Sequence, residues 1–169
     1  DQLHPAFDHS ALEMHIDEAF RDTPDATRNT LSVAVAYKGQ LVSERYTDDI
    51  EPDSPLLSWS MAKSITATVT GLLYDQGRLS PLAPAPVAEW TGTDKSVITL
   101  KNMLQMNAGL DWNEAAQGED PDQGFGLFEV PDMPGYYAEQ ALDTPPGTRF
   151  NYSTGNSNLL ARIAQSEVG

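Results

Sequence analysis

Ser60-Met61-Ala62-Lys63 sets a hydroxyl and an amine three residues apart. Residues at that spacing share one face of a helix, so the Lys63 amine is within reach of the Ser60 hydroxyl. A hydroxyl beside a group that takes its proton is a nucleophile for acyl transfer. A helix opening at this run would also surround Ser60 with N–H groups that lack intrahelical acceptors, at the positive end of the helix dipole. Both favour a developing alkoxide. A lysine amine withdrawn from water on an apolar helix titrates lower, as a base at neutral pH requires. The structural alternative is simpler: Ser60 near an N-cap and Lys63 extending its stem toward solvent. The four residues leave both readings open.

The elements that must position this pair are legible as periodicities. Leu12, Ile16 and Phe20 give Ser10 to Arg21 the spacing of an amphipathic helix. Thr30 to Tyr37 and Leu41 to Tyr46 read as two strands joined at Lys38-Gly39-Gln40, a β-hairpin. From Ser58 the period becomes helical, with Met61, Ile65, Val69, Leu72 and Leu73 on one face and Gly77 as a C-terminal cap, which predicts a mostly buried helix. Thr99 is placed to cap a short helix through Met106 that Gly109 ends, Thr148 to Tyr152 reads as a short strand, and Leu159 to Ala164 as the apolar face of a last helix. A lone hairpin is marginal in water, so further strands are expected from sequence beyond this stretch or from another chain.

The chain has 169 residues and a formal charge of -15, with 25 acidic and 10 basic side chains. That balance argues against nucleic acid or an anionic membrane as partner, because a phosphate surface would be repelled. No apolar run approaches the roughly 20 residues of a membrane span, and the opening Asp1-Gln2-Leu3-His4 is not a basic, apolar leader. With no Cys, disulfides, thiolate metal sites and a cysteine nucleophile are excluded, and the compartment is left open. The acidic excess reads as a well-solvated surface.

Several segments together resemble the penicillin-recognising serine hydrolases, whose Ser-x-x-Lys motif is shared by β-lactamases and penicillin-binding proteins. They are the hairpin; Ser58-Trp59-Ser60-Met61-Ala62-Lys63-Ser64; Gly77-Arg78-Leu79-Ser80; the run from Ile98 to Leu110; and Pro145-Pro146-Gly147-Thr148-Arg149-Phe150-Asn151-Tyr152-Ser153, in the family's order. Gly109-Leu110-Asp111-Trp112-Asn113-Glu114 is most similar to the class C β-lactamase-like branch that holds 6-aminohexanoate-dimer hydrolases and related carboxylesterases.

The resemblance implies an α+β fold of the β-lactamase/transpeptidase type, an antiparallel sheet flanked by helices with an inserted helical subdomain, of which this chain holds the N-terminal part. Residues 1–56 would form the N-terminal helix and hairpin, and 57–169 the nucleophile helix and helical subdomain. It implies hydrolysis of a small ester or amide through an acyl-enzyme on Ser60, with Lys63 as base, Tyr152 as proton relay to the leaving group, and no cofactor or metal. Trp112, Tyr136 and Tyr137 are then expected in loops that wall the substrate pocket, with Thr154 contacting substrate. Two departures stand out. Thr154 replaces the Asn that ends the tyrosine motif, which weakens the expectation of β-lactam binding more than that of ester or amide hydrolysis. The family's Lys/His-Thr/Ser-Gly strand has no match in these residues, so one of the two oxyanion N–H donors is expected from sequence beyond them, Ser60 supplying the other. A non-catalytic penicillin-binding-like sensor, or a pseudoenzyme that keeps the fold without turnover, is the alternative.

His4, His9 and His15 lack zinc spacing and read as surface or packing residues, and no histidine is placed for a Ser-His-Asp triad. Asp111, Glu114, Glu119, Asp120 and Asp122 invite a calcium loop. Ala115 and Ala116, however, occupy a ligand position and the glycine position of an EF-hand starting at Asp111. Gly124, Phe125, Gly126 and Phe128 read as a mobile loop.

Overall fold

A computed structural model describes residues 8–25, 27–115 and 122–169. The chain divides into two units, Asp1–Leu57 and Ser58–Gly169. In the first, α1 (His9–Phe20) is capped by Asp8, whose carboxylate accepts from Ala11 N. The hairpin follows, with β1 (Ser32–Tyr37) antiparallel to β2 (Gln40–Tyr46). Its tight turn places Lys38 and Gly39 at φ 49° and 77°, the pair of positive values that a type I′ turn requires. Ser43 pairs with Val35 and Leu41 with Ala36, so Val42 is an extra residue that bulges inward and is buried. Helix and hairpin are tied by side chains. Ser43 donates to Glu13 at 2.8 Å, and Arg45 forks across Glu13 and Asp17. Among the described residues these two strands are the whole sheet.

The second unit is helical. A single 3-10 turn, Trp59–Met61, runs into α2 (Ala62–Asp75). Thr66, Thr68 and Thr70 each return their hydroxyl to the carbonyl four residues back, which satisfies these β-branched side chains within the helix. Gly77 at φ 70° ends it: its N–H donates to Tyr74 O, and that of Arg78 to Leu73 O, a Schellman closure. The predicted burial does not hold. Only Thr70 and Leu73 of α2 are buried, whereas Met61, Ile65, Val69 and Leu72 are exposed; among the described residues the main helix packed against α2 is α6, which leaves these side chains uncovered.

Helix α3 (Leu100–Leu104) starts at Thr99 with a reciprocal capping box to Asn102. It ends earlier than predicted. Met106, at φ 55°, takes the left-handed position, and Asn107 N closes back on Asn102 O at 2.9 Å. Gly109 does not end the helix but anchors a later segment. At φ 85° its carbonyl accepts from Asp143 N and Thr144 N, and a Cβ there would stand 2.1 Å from Thr144 O. The segment predicted as a strand at Thr148 to Tyr152 is irregular, because Asn151 N donates to Met106 O at the corner after α3 instead of joining a ladder. The segment read as a mobile loop is α4 (Asp122–Phe128). Tyr136 and Tyr137 lie not in a loop but in α5 (Met133–Glu139), which Asp132 caps. The chain then runs into α6 (Thr154–Val168).

The core of this unit gathers Trp90, Ile98, Leu100, Met103, Ala138, Leu159 and Ile163 around one face of α6. Each large apolar side chain buried there adds about 1.5–3 kcal/mol. Trp90 Nε1 donates to Ala138 O at 2.9 Å, so the largest core side chain leaves no polar atom unmet. Among the described residues no helix is long and apolar enough to cross a membrane.

Candidate active site

Ser60 sits in the 3-10 turn directly after Trp59, which holds φ 44°. A non-glycine residue in that region costs of order 1–3 kcal/mol and persists only where its surroundings impose it. The strain turns the chain sharply just before the hydroxyl, at the opening of α2. Lys63, one turn on, donates from Nζ to Ser60 Oγ at 3.1 Å and to Thr154 Oγ1 at 3.0 Å. Its ammonium also lies over the Tyr152 ring, 5.1 Å from the centroid, within the range of a cation–π contact. Four of the seven predicted site residues, Ser60, Lys63, Tyr152 and Thr154, therefore meet around one amine, although 91 residues separate Lys63 from Thr154.

The contact between Tyr152 and Lys63 is made by the ring face. Tyr152 is held by its neighbour, since Asn151 donates from Nδ2 to Trp112 O at 3.0 Å and from its backbone to Met106 O at 2.7 Å. Tyr152 itself is 38% exposed and is not among the residues that line the cavity beside Ser60.

Ser60, Lys63 and Thr154 line an open cavity of about 310 Å³. Its other walls are Trp59, Leu127 and Phe128 on the apolar side and Gln123, Ser157 and Asn158 on the polar side. Trp112 and Tyr137 are not among these walls, contrary to expectation. They are 5% and 2% exposed and stack edge to face with centroids 5.3 Å apart, behind the first turn of α6. Their large apolar rings are held in the core, and burial pushes the Tyr137 phenol well above its ordinary range, against the opposing hydrogen bond with Ser153.

The first turn of α6 is polar yet buried, and its groups are paired except for Asn156 Oδ1, which has no hydrogen-bond partner among the described residues. Ser153 Oγ accepts from Asn156 N at 3.0 Å, and Asn156 Nδ2 donates to Met103 O at 2.5 Å. The carboxylate of Glu114 accepts from Thr154 N at 2.7 Å and from Trp112 Nε1 at 2.6 Å through Oε2, and from the Thr154 hydroxyl through Oε1. In the sequence Glu114 suggests only a calcium ligand. Its spacing to Trp112 holds no hint that both converge on Thr154. Trp59, Leu127 and Phe128 are likewise not legible as walls, because the strain at Trp59 and the helix that carries Phe128 are not patterns of composition. Of the suspected calcium loop, residues 116–121 lie outside the described residues. Asp122, at its end, accepts instead from Asn113 N and from the Tyr136 hydroxyl, at 2.8 and 2.5 Å. His4 lies outside the described residues as well, and His15 contacts Glu18 on the exposed face of α1.

The Beta-lactamase family model matches residues 16–167. The chain belongs to the beta-lactamase family. Its sequence is 28% identical, over 141 residues, to the 6-aminohexanoate-dimer hydrolase of Paenarthrobacter ureafaciens; the match takes in 77% of this chain and 36% of that protein. It also resembles the solved structure of a candidate 6-aminohexanoate-dimer hydrolase from Bacillus anthracis, with TM-score 0.70, 22% identity, and coverage of 94% of this chain and 43% of that one. This beta-lactamase-family chain thus has the predicted β-lactamase-like α+β fold and spans roughly two-fifths of the length of these relatives.

Proposed function

We propose that this chain carries the nucleophile of a serine hydrolase that cleaves a small ester or amide through an acyl-enzyme. The observation that supports this most is the contact of Lys63 Nζ with Ser60 Oγ at 3.1 Å, at the wall of an open cavity. In the acylation step, Lys63 in its neutral form turns its lone pair to the Ser60 O–H, reversing the bond between them, and takes the proton as Oγ attacks the carbonyl carbon. The carbonyl π bond opens to an oxyanion, which faces the Ser60 N–H at the start of the helix. The oxyanion then collapses, the C–N or C–O bond breaks, and the proton held by Lys63 reaches the leaving group by way of the Tyr152 hydroxyl. Water repeats the sequence on the acyl-enzyme: it loses a proton to the same pair, releases the acid, and Ser60 recovers its hydrogen.

The relatives named for hydrolysis of 6-aminohexanoate dimer favour an amide substrate with a short aliphatic acyl chain, a chemistry that the Trp59, Leu127 and Phe128 wall would accept. The test is to incubate the complete protein with p-nitrophenyl esters and with a fluorophosphonate probe. Turnover and a single covalent adduct are expected, both abolished in Ser60→Ala. Labelling that survives Ser60→Ala would overturn the assignment, and a lasting acyl adduct without product would identify a sensor instead.

A further inference from the structure

We propose that Glu114 is a positioning residue for the Ser60–Lys63 pair, acting through the Thr154 hydroxyl to favour the positive charge that Lys63 gains as it takes the Ser60 proton. The inference rests on the acyl-transfer reading above. A threonine hydroxyl has one hydrogen to donate and two lone pairs to receive. Glu114 Oε2 is already taken by two obligatory donors, Trp112 Nε1 and Thr154 N. Oε1 contacts the Thr154 hydroxyl. A carboxylate only accepts, so the Thr154 hydrogen points at Glu114 and its lone pairs are left to face Lys63. The chain of bonds therefore has one direction: Lys63 N–H to Thr154, and Thr154 O–H to Glu114.

That direction has a chemical consequence. When Lys63 takes the proton of Ser60, the bond that receives its new charge is already formed, and a carboxylate closes the chain one hydroxyl away. The bonds from Lys63 to Thr154 and from Thr154 to Glu114 keep their direction throughout the reaction, the condition under which fixed dipoles contribute most. An amide at position 114 would break this arrangement. Gln can keep its carbonyl toward Trp112 Nε1 and Thr154 N, but its NH₂ then donates to Thr154, so the hydroxyl hydrogen loses its acceptor and no negative charge closes the chain.

The experiment follows the rate of fluorophosphonate labelling in the complete protein by intact-mass spectrometry, for Ser60→Ala, Glu114→Gln, Thr154→Val and the double variant Glu114→Gln/Thr154→Val. Expected is a loss of about 10- to 100-fold in labelling rate for Glu114→Gln, the size of a lost hydrogen bond to a charged group, with an unchanged far-UV circular dichroism spectrum. Thr154→Val is expected to be equally slow and the double variant no slower than either, because both cut one chain. Wild-type labelling in Glu114→Gln, or losses that multiply in the double variant, would overturn the role of Glu114. Labelling that persists in Ser60→Ala would overturn the acyl-transfer reading instead. Should Glu114→Gln not fold, Thr154→Val decides, since it keeps the backbone bond to Glu114: a slow rate restored by Thr154→Ser supports the chain, and a wild-type rate overturns it.

Discussion

Tyr137 lies across Gly155 so closely that a Cβ at position 155 would stand 2.5 Å from Tyr137 Cδ2, with Trp112 Cζ3 at 2.9 Å. Both rings are buried and locked edge to face, so neither can yield without disturbing the core. The absent side chain lets α6 begin hard against them, and Thr154, one residue earlier, is thereby set within reach of Lys63.

Gly155→Ala is therefore expected to destabilise the protein by about 1–3 kcal/mol, the range for overpacking a filled core. Urea unfolding measures it. The same variant should label more slowly at Ser60, since relief of the clash displaces the first turn of α6. An unchanged midpoint would show that the rings relax freely.

Tyr152→Phe keeps the ring over which the Lys63 ammonium lies and removes only the hydroxyl. If the phenol carries the proton to the leaving group, turnover of a p-nitroanilide substrate should fall by about 10²- to 10⁴-fold while the melting temperature is held. A loss of stability with turnover intact would make Tyr152 a packing residue.

Thr99→Ala removes a cap whose hydroxyl accepts from Asn102 N at 3.1 Å and whose own N–H is received by Asn102 Oδ1 at 3.0 Å. The expected cost is about 1 kcal/mol, read as a lowered thermal midpoint. Activity at temperatures below that midpoint should be unchanged, because the carbonyls that hold Asn156 and Asn151, those of Met103 and Met106, lie toward the other end of α3 and at the corner after it.

The Arg162 guanidinium grips Glu89 by two bonds, at 2.8 and 3.0 Å. Burial by itself pushes the Glu89 carboxyl up, but hydrogen bonding from Arg162 and from its own backbone amide, with the attraction of the guanidinium, holds it below the ordinary carboxylate range. A lowered folded value means stability that is present above the unfolded value and lost as pH falls through the folded one. Glu89→Gln should accordingly lower the urea midpoint at pH 7, and the difference from wild type should narrow as the pH is taken down through the carboxylate range. A difference that stays constant with pH would show that the pair contributes no charge-dependent stability.

Local signals carry much of the architecture. Lys38-Gly39 at positive φ, the Thr99 cap and the Gly77 closure are short-range devices, and each is readable because its chemistry is complete within a few residues. Sequence and structure part where a distant partner decides. Thr148 to Tyr152 has the composition of a strand, yet the corner at Met106 takes the Asn151 N–H. Gly124 and Gly126 look like loop residues, but Gly126 is buried within α4 beneath Met133 and Trp112, where a larger residue would crowd the packing.

The site divides in the same way. Ser60 and Lys63 meet because a helix turn brings residues three apart together, and that much was determined by four consecutive residues. That Thr154 and Tyr152 join them, that Trp112 and Tyr137 stand behind the site and not in its wall, and that Glu114 closes a directed chain of bonds were decided only by tertiary structure. The reason is physical. A helix repeats the geometry of neighbours wherever it forms, whereas the approach of α6 to α2 depends on which side chains fill the space behind it, here two rings and the absent side chain of Gly155.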